Sequence, residues 1–444
     1  MKKPQMPEWL EYFMQELMKP PHFLDQAKQN TQPEDSNKEK ESDNKRTSSD
    51  SETKSPNETT YNKSDEKNTS SHKAPPARAH VAQMNNSEIR TESAKADILS
   101  LTSQQTVSTT SLKNYIASQY GFTIEQFQPY ENITRLHTSK GTYALKQTHL
   151  LSQNVDFINQ ALSYAKKNGF TKYARFAVTK AKKPFIRKGG KTYYLTSWID
   201  GPAVNFASID HIGQTAFTLA EFHESTRGFE AKESFQPQLV FNLAQITEQR
   251  NRDLRQMIHL AEAKENPDEY DSMLIELKPD LQDDAAKSLS LLQSAECQEF
   301  LLTDEERPGI CHLDVIPSNF IYRTNHQVHM LDLDLATFAP RALDVAHLLR
   351  RSMQQLNWIP DAAYACFLNY NAVHTMPKAE YKIVNALLRF PYLAWRVSHT
   401  RYRFFKDKSQ IEDLKSFKEQ ESRRQSFLEE FTKQIDSLSQ DENT

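Results

Sequence analysis

The sequence predicts an α+β fold of two lobes, carried behind an arm with no core of its own. Three observations lead there. Residues 26–75 hold only three hydrophobic residues, Ala27, Tyr61 and Ala74. Short strand-like runs separated by turn residues gather between 106 and 200. From about residue 207 onward, apolar residues recur at helical spacing, interrupted near 310–335.

The chain opens with one apolar island at 7–18. Trp9, Phe13 and Leu17 fall at i, i+4 and i+8, and Leu10 and Met14 widen the face. Pro7 and Glu8 suit a first helical turn, so 1–20 is expected to form a short amphipathic helix. It either docks on its own folded part or serves as a tethered docking peptide for another protein. Residues 21–105 are expected to be a disordered, low-complexity linker. Within 26–75 there are 19 charged residues, 9 positive and 10 negative, beside 15 Ser and Thr. Such a segment buries too little apolar surface to offset an ordering cost of about 1–2 kcal/mol per residue. Its near-neutral mixture marks a spacer more than a nucleic-acid tail.

Residues 106–200 form the strand-rich lobe, with strands expected at 133–138, 142–147, 174–178 and 193–198. A helix at 153–167 lies among them and ends at Asn168-Gly169. Residues 201–440 form the mostly helical lobe, with amphipathic stretches at 362–369, 381–389 and 411–438. The last carries Leu414, Phe417, Phe427, Leu428, Phe431 and Ile435 as an intermittent stripe, too irregular for a coiled coil.

Composition narrows the classes. With 9 Gly in 444 residues, collagen-like and glycine-looped repeats are excluded. A net charge of -3 excludes a polycation that holds nucleic acid by charge alone. Cys297, Cys311 and Cys366 are too few for a disulfide framework and are not spaced as a metal knuckle, which points to a reducing compartment. Glu8, Glu11 and Glu16 interrupt any signal-peptide core. No apolar run reaches the roughly 18–20 residues that span a bilayer.

The chemistry concentrates in two runs. CHLDVIPSNFI at 311–321 sets His312, Asp314 and Asn319 in an apolar stretch, and MLDLDL at 330–335 sets Asp332 and Asp334 in another. Buried carboxylates are costly unless paired, hydrogen-bonded or bound to a cation. The gap at 323–327 reads as a hairpin turn, which brings Asp314 and Asn319 beside Asp332. One Asp that takes a hydroxyl proton, with an Asn and an Asp for Mg²⁺, is what phosphoryl transfer requires.

These blocks, with several others in the same order, resemble the aminoglycoside phosphotransferase-like branch of the protein kinase-like superfamily. More closely, they resemble the CotS-type spore coat protein family. The resemblance spans about 125–435 and most of the folded part. TSKGTYALK at 138–146 resembles the strands that carry a nucleotide lysine. KKNGF at 166–170 resembles the end of the first helix, and YYLTSWIDG at 193–201 the hinge. LAEFHESTRG at 219–228 resembles the following helix. PRALDVA at 340–346 resembles the segment whose Asp supports the catalytic loop. FPYLAWR at 390–396 and RYRFF at 401–405 resemble the coat family's C-terminal signature.

The resemblance implies a two-lobed kinase-like fold, with ATP and Mg²⁺ as cofactors. Lys146 would neutralise nucleotide phosphates, and the backbone of Ser197, Trp198 and Ile199 would meet the adenine. Asp314 would orient or deprotonate the acceptor hydroxyl. Asn319 and Asp332 would hold the metal. His312 and Asp344 would be structural supports, and Asp334 would support the metal or hydrogen-bond the loop.

Four departures bear on turnover, one being the apolar Val315-Ile316 pair in place of a more polar family pattern after Asp314. The helix 153–167 has Asp156 but no Glu to pair with the lysine, leaving Glu125 and Glu131 as other substitutes. The segment 129–136 contains no glycine. Leu313 stands where family members carry glycine. The expectation is therefore a spore coat component acting as a scaffold or pseudokinase with a retained Mg–ATP site. An active phosphotransferase acting on a hydroxyl of a coat protein or small molecule is the alternative. It would act in the mother-cell cytoplasm, then join the spore coat, with other coat proteins as partners. Residues 166–191, with ten Lys/Arg and no Asp/Glu, read as a solvated hairpin or as a surface for an acidic or phosphorylated partner. No nucleic-acid reader accompanies them.

Overall fold

The computed structural model describes residues 110–130, 132–232, 239–306 and 308–438. The helix expected at 1–20 and the linker expected at 21–105 lie outside the described residues. The fold is an α+β arrangement of a small sheet followed by a helical lobe.

A helix over 110–120 (α1) leads into β1 (Ile124–Tyr130), β2 (Ile133–Thr138) and β3 (Gly141–Thr148). Then come α2 (Ser152–Lys167), β4 (Phe185–Lys188) and β5 (Lys191–Ser197). The five strands form one antiparallel sheet in the order β1-β2-β3-β5-β4. Its core holds Ile116, Tyr120, Leu136, Leu145, Ile186 and Leu195. Strand alternation does the rest. Leu145 points into this core, so Lys146 points to the opposite face, paired across the ladder with Tyr194.

Residues 174–178, expected as a strand, form no regular one. They contribute an isolated bridge, Phe176 to Thr196, beside a parallel bridge from Tyr173 to Met330. Two strands of this sheet were not anticipated. β1 is mostly solvent-facing, with little apolar alternation, and β4 lies within the basic run. Eight of the ten cations in 166–191 are exposed. Lys172 pairs with Glu221 at 2.6 Å, and Lys188 lies over the Tyr115 ring.

The helical lobe begins with α3 (Ile209–Thr226), α4 (Leu243–Glu262), α5 (Glu269–Glu276), α6 (Lys278–Leu292) and α7 (Ala295–Glu306). A short β segment interrupts it: β6 (Ile310–Cys311), a 3₁₀ turn (Pro317–Asn319), β7 (Phe320–Tyr322), β8 (Val328–Met330) and β9 (Thr337–Phe338). β7 and β8 pair as a hairpin around 323–327, as expected, and β6 pairs with β9. The lobe closes with α8 (Ala342–Gln355), α9 (Pro360–Asn371), α10 (Lys378–Arg389), α11 (Tyr392–Arg403) and α12 (Ser409–Ser437). The main core joins α2 of the first lobe, through Phe157, Ile158 and Leu162, to Leu219, Phe320 and Leu349. A second core unites α4–α6 with α11 and α12 around Tyr270, Trp395 and Leu414.

One buried clamp fixes the start of α8. Arg341 donates to both Glu380 oxygens, at 2.7 and 3.1 Å, and to Glu224 at 3.0 Å. The bidentate geometry satisfies the buried charges. It sets the register of Asp344, one turn on. No helix among the described residues is long and apolar enough to cross a membrane.

Candidate active site

The two short hairpin strands and the 3₁₀ turn bring Asp314, Asn319 and Asp332 together below the sheet. Asn319 donates its side-chain amide to the Asp314 carboxylate at 2.8 Å and to the Asp314 carbonyl at 3.0 Å. Leu331 N donates to Asn319 O at 2.8 Å, which ties the Asp332 segment to the same turn. His312 accepts from Asp314 N at Nδ1, and its Nε2 bonds Leu331 O at 2.8 Å. That pattern places the proton on Nε2 and makes His312 a brace between the two runs.

Asp344 holds the loop from behind. Fully buried, it accepts from His312 N at 2.6 Å and Leu313 N at 2.8 Å, and bonds His223 Nε2 at 3.0 Å. Burial alone would raise its pKa, but the His223 hydrogen bond and charge lead a set of interactions that hold it below the ordinary aspartate value. His223 in turn contacts Tyr370 OH at 2.8 Å. His223, Cys311 and Asp344 lie close enough to suggest metal ligands. Their polar atoms are already committed, with Cys311 Sγ donating to Ala339 O.

Leu313 adopts φ +62° and is 2% exposed, packed with Cys311 and Ala339. A leucine in the left-handed region costs about 1–2 kcal/mol. Burial and the two amide bonds to Asp344 hold it there. Leucine thus occupies a backbone form here that glycine would adopt without strain. A testable contrast follows. Leu313→Ala loses packing and keeps the strain, at a cost of about 2–5 kcal/mol. Leu313→Gly loses the same packing but relieves the strain, and should be more stable than the alanine variant by about 1 kcal/mol. Urea unfolding of the two variants measures the difference.

Lys146 crosses from the sheet to this loop. Its Nζ donates to Asp332 at 2.5 and 2.6 Å and lies 3.0 Å from Asp334 Oδ2. The missing helix carboxylate is replaced here. Asp156 accepts from Gln160 and approaches only Lys232, so it is not the partner of Lys146. Asp334 takes that place, gripped by one face of β3 and β5: Thr148 donates at 2.9 Å and Tyr194 at 2.6 Å. Burial would lower the Lys146 pKa, yet Asp332 and Asp334 hold it above the usual lysine value. Asp332 is lowered against burial by Lys146, whereas Asp334 and Asp314 are raised by burial.

The expected hinge is partly committed. Ser197 N donates to Arg175 O at 2.8 Å and Trp198 N to Thr142 O at 3.0 Å. Of the three amides, only that of Ile199 has no partner among the described residues. Ser197 is engaged because the loop at 174–178, expected as a strand of its own, runs beside β5, and Trp198 because the β3–β5 pairing continues to Thr142.

The donor set is one of hard oxygens: the Asp332 carboxylate and the Asn319 amide oxygen, which faces away from the bond that its nitrogen makes to Asp314. Such a set fits Mg²⁺. A lysine, a metal-type Asn/Asp pair and an acceptor-side Asp on a two-lobed scaffold define a kinase-like phosphotransferase domain. The chain belongs to the phosphotransferase enzyme family (APH), which matches residues 123–368, more than half of its length. Among solved structures it is similar to an aminoglycoside phosphotransferase from Alicyclobacillus acidocaldarius, with 42% identity and a TM-score of 0.67. The alignment covers 71% of this chain and 93% of that one. An AMP-bound spectinomycin phosphotransferase is similar in fold, with 15% identity and a TM-score of 0.50, over 70% of this chain and 94% of that one. Comparison with curated proteins gave no match.

Proposed function

We propose that the protein is an ATP-dependent phosphotransferase acting on a hydroxyl acceptor. The observation that carries this reading is the convergence of Lys146, Asp314, Asn319 and Asp332, with Lys146 anchored a second time by Asp334. Asn319 and Asp332 would hold Mg²⁺, which when bound neutralises charge on the transferring phosphates. Lys146 would face the same phosphates and stay tethered through Asp334 while Asp332 serves the metal. Asp314, its carboxylate aimed by Asn319, would receive the acceptor proton. The Ile199 amide is the free hinge donor for adenine. Release of ADP from Mg–ATP on addition of hydroxyl acceptors, lost in Asp314→Asn, tests the reading. ADP release unchanged by that substitution would sink it.

A catalytically silent scaffold that keeps the nucleotide site is the second reading. The glycine-free β1–β2 hairpin favours it, because backbone amides there wrap phosphate less freely. Resemblance to the CotS-type family supports placing either form in the mother-cell cytoplasm and then the spore coat, among other coat proteins. The exposed cations of 166–191 suit an acidic or phosphorylated partner there. A fluorescent fusion that stays diffuse throughout sporulation would contradict the coat assignment.

A further inference from the structure

Three arginines from two helices gather around Tyr392 and the acceptor aspartate's neighbourhood, and one of them, Arg351, acts on Asp314 itself. Arg250 on α4 lies 5.0 Å from the Trp395 ring centre and 5.4 Å from that of Tyr392. Arg350 on α8 covers Tyr392 at 4.0 Å. Arg351, next in sequence, lies close enough to Asp314 for each charge to act on the other. Arg250 and Arg351 are half-buried and reachable from solvent, while Arg350 is 8% exposed.

No carboxylate among the described residues stands within ion-pair distance of these cations, although Asp253 acts on Arg250 and Asp314 on Arg351 from farther off. Among the described residues none of the three forms an ion pair, and the Nε hydrogens of Arg250 and Arg351 are buried without an acceptor. The acids around them are engaged elsewhere. Asp253 pairs with Arg403 at 3.0 Å, Asp413 lies 3.8 Å from Arg396, and Asp344 holds the catalytic loop. The nearby histidines do not compensate. Burial, reinforced by arginine charges, lowers the pKa of His347 and His399, so both stay neutral. Burial also draws the Arg350 guanidinium down to about 9, with Tyr392 as the leading opposing influence.

Burying unpaired guanidinium groups is costly, and an anion that enters the site relieves that cost. Guanidinium forks also match the planar or tetrahedral oxygens of carboxylate and phosphate. We propose that the hydroxyl acceptor carries a phosphate or carboxylate group, bound by Arg250 and Arg351 while its hydroxyl faces Asp314. This rests on the phosphotransferase reading of the site. In the transfer, the acceptor oxygen forms the new P–O bond to the terminal phosphoryl group. The P–O bond to the β-phosphate breaks, ADP leaves, and the hydroxyl proton passes to Asp314. A polycationic acceptor such as an aminoglycoside meets like charge here, so the acceptor differs in charge from the one named for the Alicyclobacillus relative.

The test uses the full chain with Mg²⁺ and saturating AMP-PNP, titrated with three hydroxyl probes: glycerol 3-phosphate, glycerate and choline. At least one anionic probe should bind at millimolar concentration and choline should not; which anion binds separates phosphate from carboxylate. Arg250→Gln combined with Arg351→Gln should weaken that binding by about tenfold or more, the size expected for close charge pairs. AMP-PNP affinity and the thermal unfolding midpoint report on the fold of the variant. The proposal is overturned if AMP-PNP binds but choline matches the anions. It is equally overturned if neither anion binds, or if anion binding ignores the arginines. If AMP-PNP fails to bind the unaltered chain, the phosphotransferase reading itself fails, and the proposal with it.

Discussion

Replacing Asp332 with asparagine is expected to remove Mg²⁺-dependent nucleotide binding while leaving the fold intact. The position has φ +46°, a left-handed conformation that asparagine accepts as readily as aspartate and that alanine does not. The backbone therefore stays, and only a charge is lost. That charge is the carboxylate that Lys146 grips with two hydrogen bonds. Removing an outer contact of a metal site costs about 10–100-fold in affinity, so removing a ligand should cost at least about 100-fold. Stability should change little. Lys146 keeps Asp334, and the Lys146–Asp332 pair is partly exposed, with side chains 22% and 35% accessible. Calorimetric titration of ATP with and without Mg²⁺, beside a thermal melt, reads both effects. A variant that binds Mg–ATP as tightly as the parent would remove Asp332 from the metal site.

Asp314→Asn is expected to separate binding from chemistry. The amide keeps the side chain's shape and can still accept the bond from Asn319, so nucleotide affinity should hold. Transfer should fall by about 10²–10⁴-fold, the range for losing a positioned general base. The pH profile should change in a definite direction. Burial, with the Asp332 charge adding to it, raises the Asp314 pKa above the ordinary aspartate value, against Arg351 and the Asn319 bond. The deprotonated form is the competent base, so activity should fall as pH drops through that raised pKa. This acid limb should disappear from the residual activity of the variant. An unchanged limb would assign it to another group.

What sequence reasoning recovered, and what it missed, follows from range. Asp314, Asn319 and His312 sit within eight residues of one another, and Asp332 follows across a hairpin whose turn residues are visible. Local spacing carries that geometry, and the helices with clear apolar periodicity were placed within a few residues of their observed ends. Asp334 was left with two roles, and the structure shows a third: it anchors Lys146. That depends on Thr148 and Tyr194, which are 186 and 140 residues away from it and meet only because β3 pairs with β5. No short-range pattern signals such a contact. His223 as the partner of Asp344 was missed for the same reason, across 121 residues. The residues 174–178 look like a strand because their alternation is right; they pair through one bridge to β5 because the backbone at Lys172 and Ala174 bonds Met330 instead. Leu313 reads as a defect when glycine is expected. In the fold it takes the left-handed backbone that glycine favours, held there by Asp344.

On the proposed reading, Lys146, Asn319 and Asp332 form a working Mg–ATP site. Titration of ATP into the full chain, with and without Mg²⁺, tests it most directly. The geometry predicts saturable binding that requires the metal and is lost in Asp332→Asn. No binding at millimolar ATP and Mg²⁺ by a folded protein would contradict it.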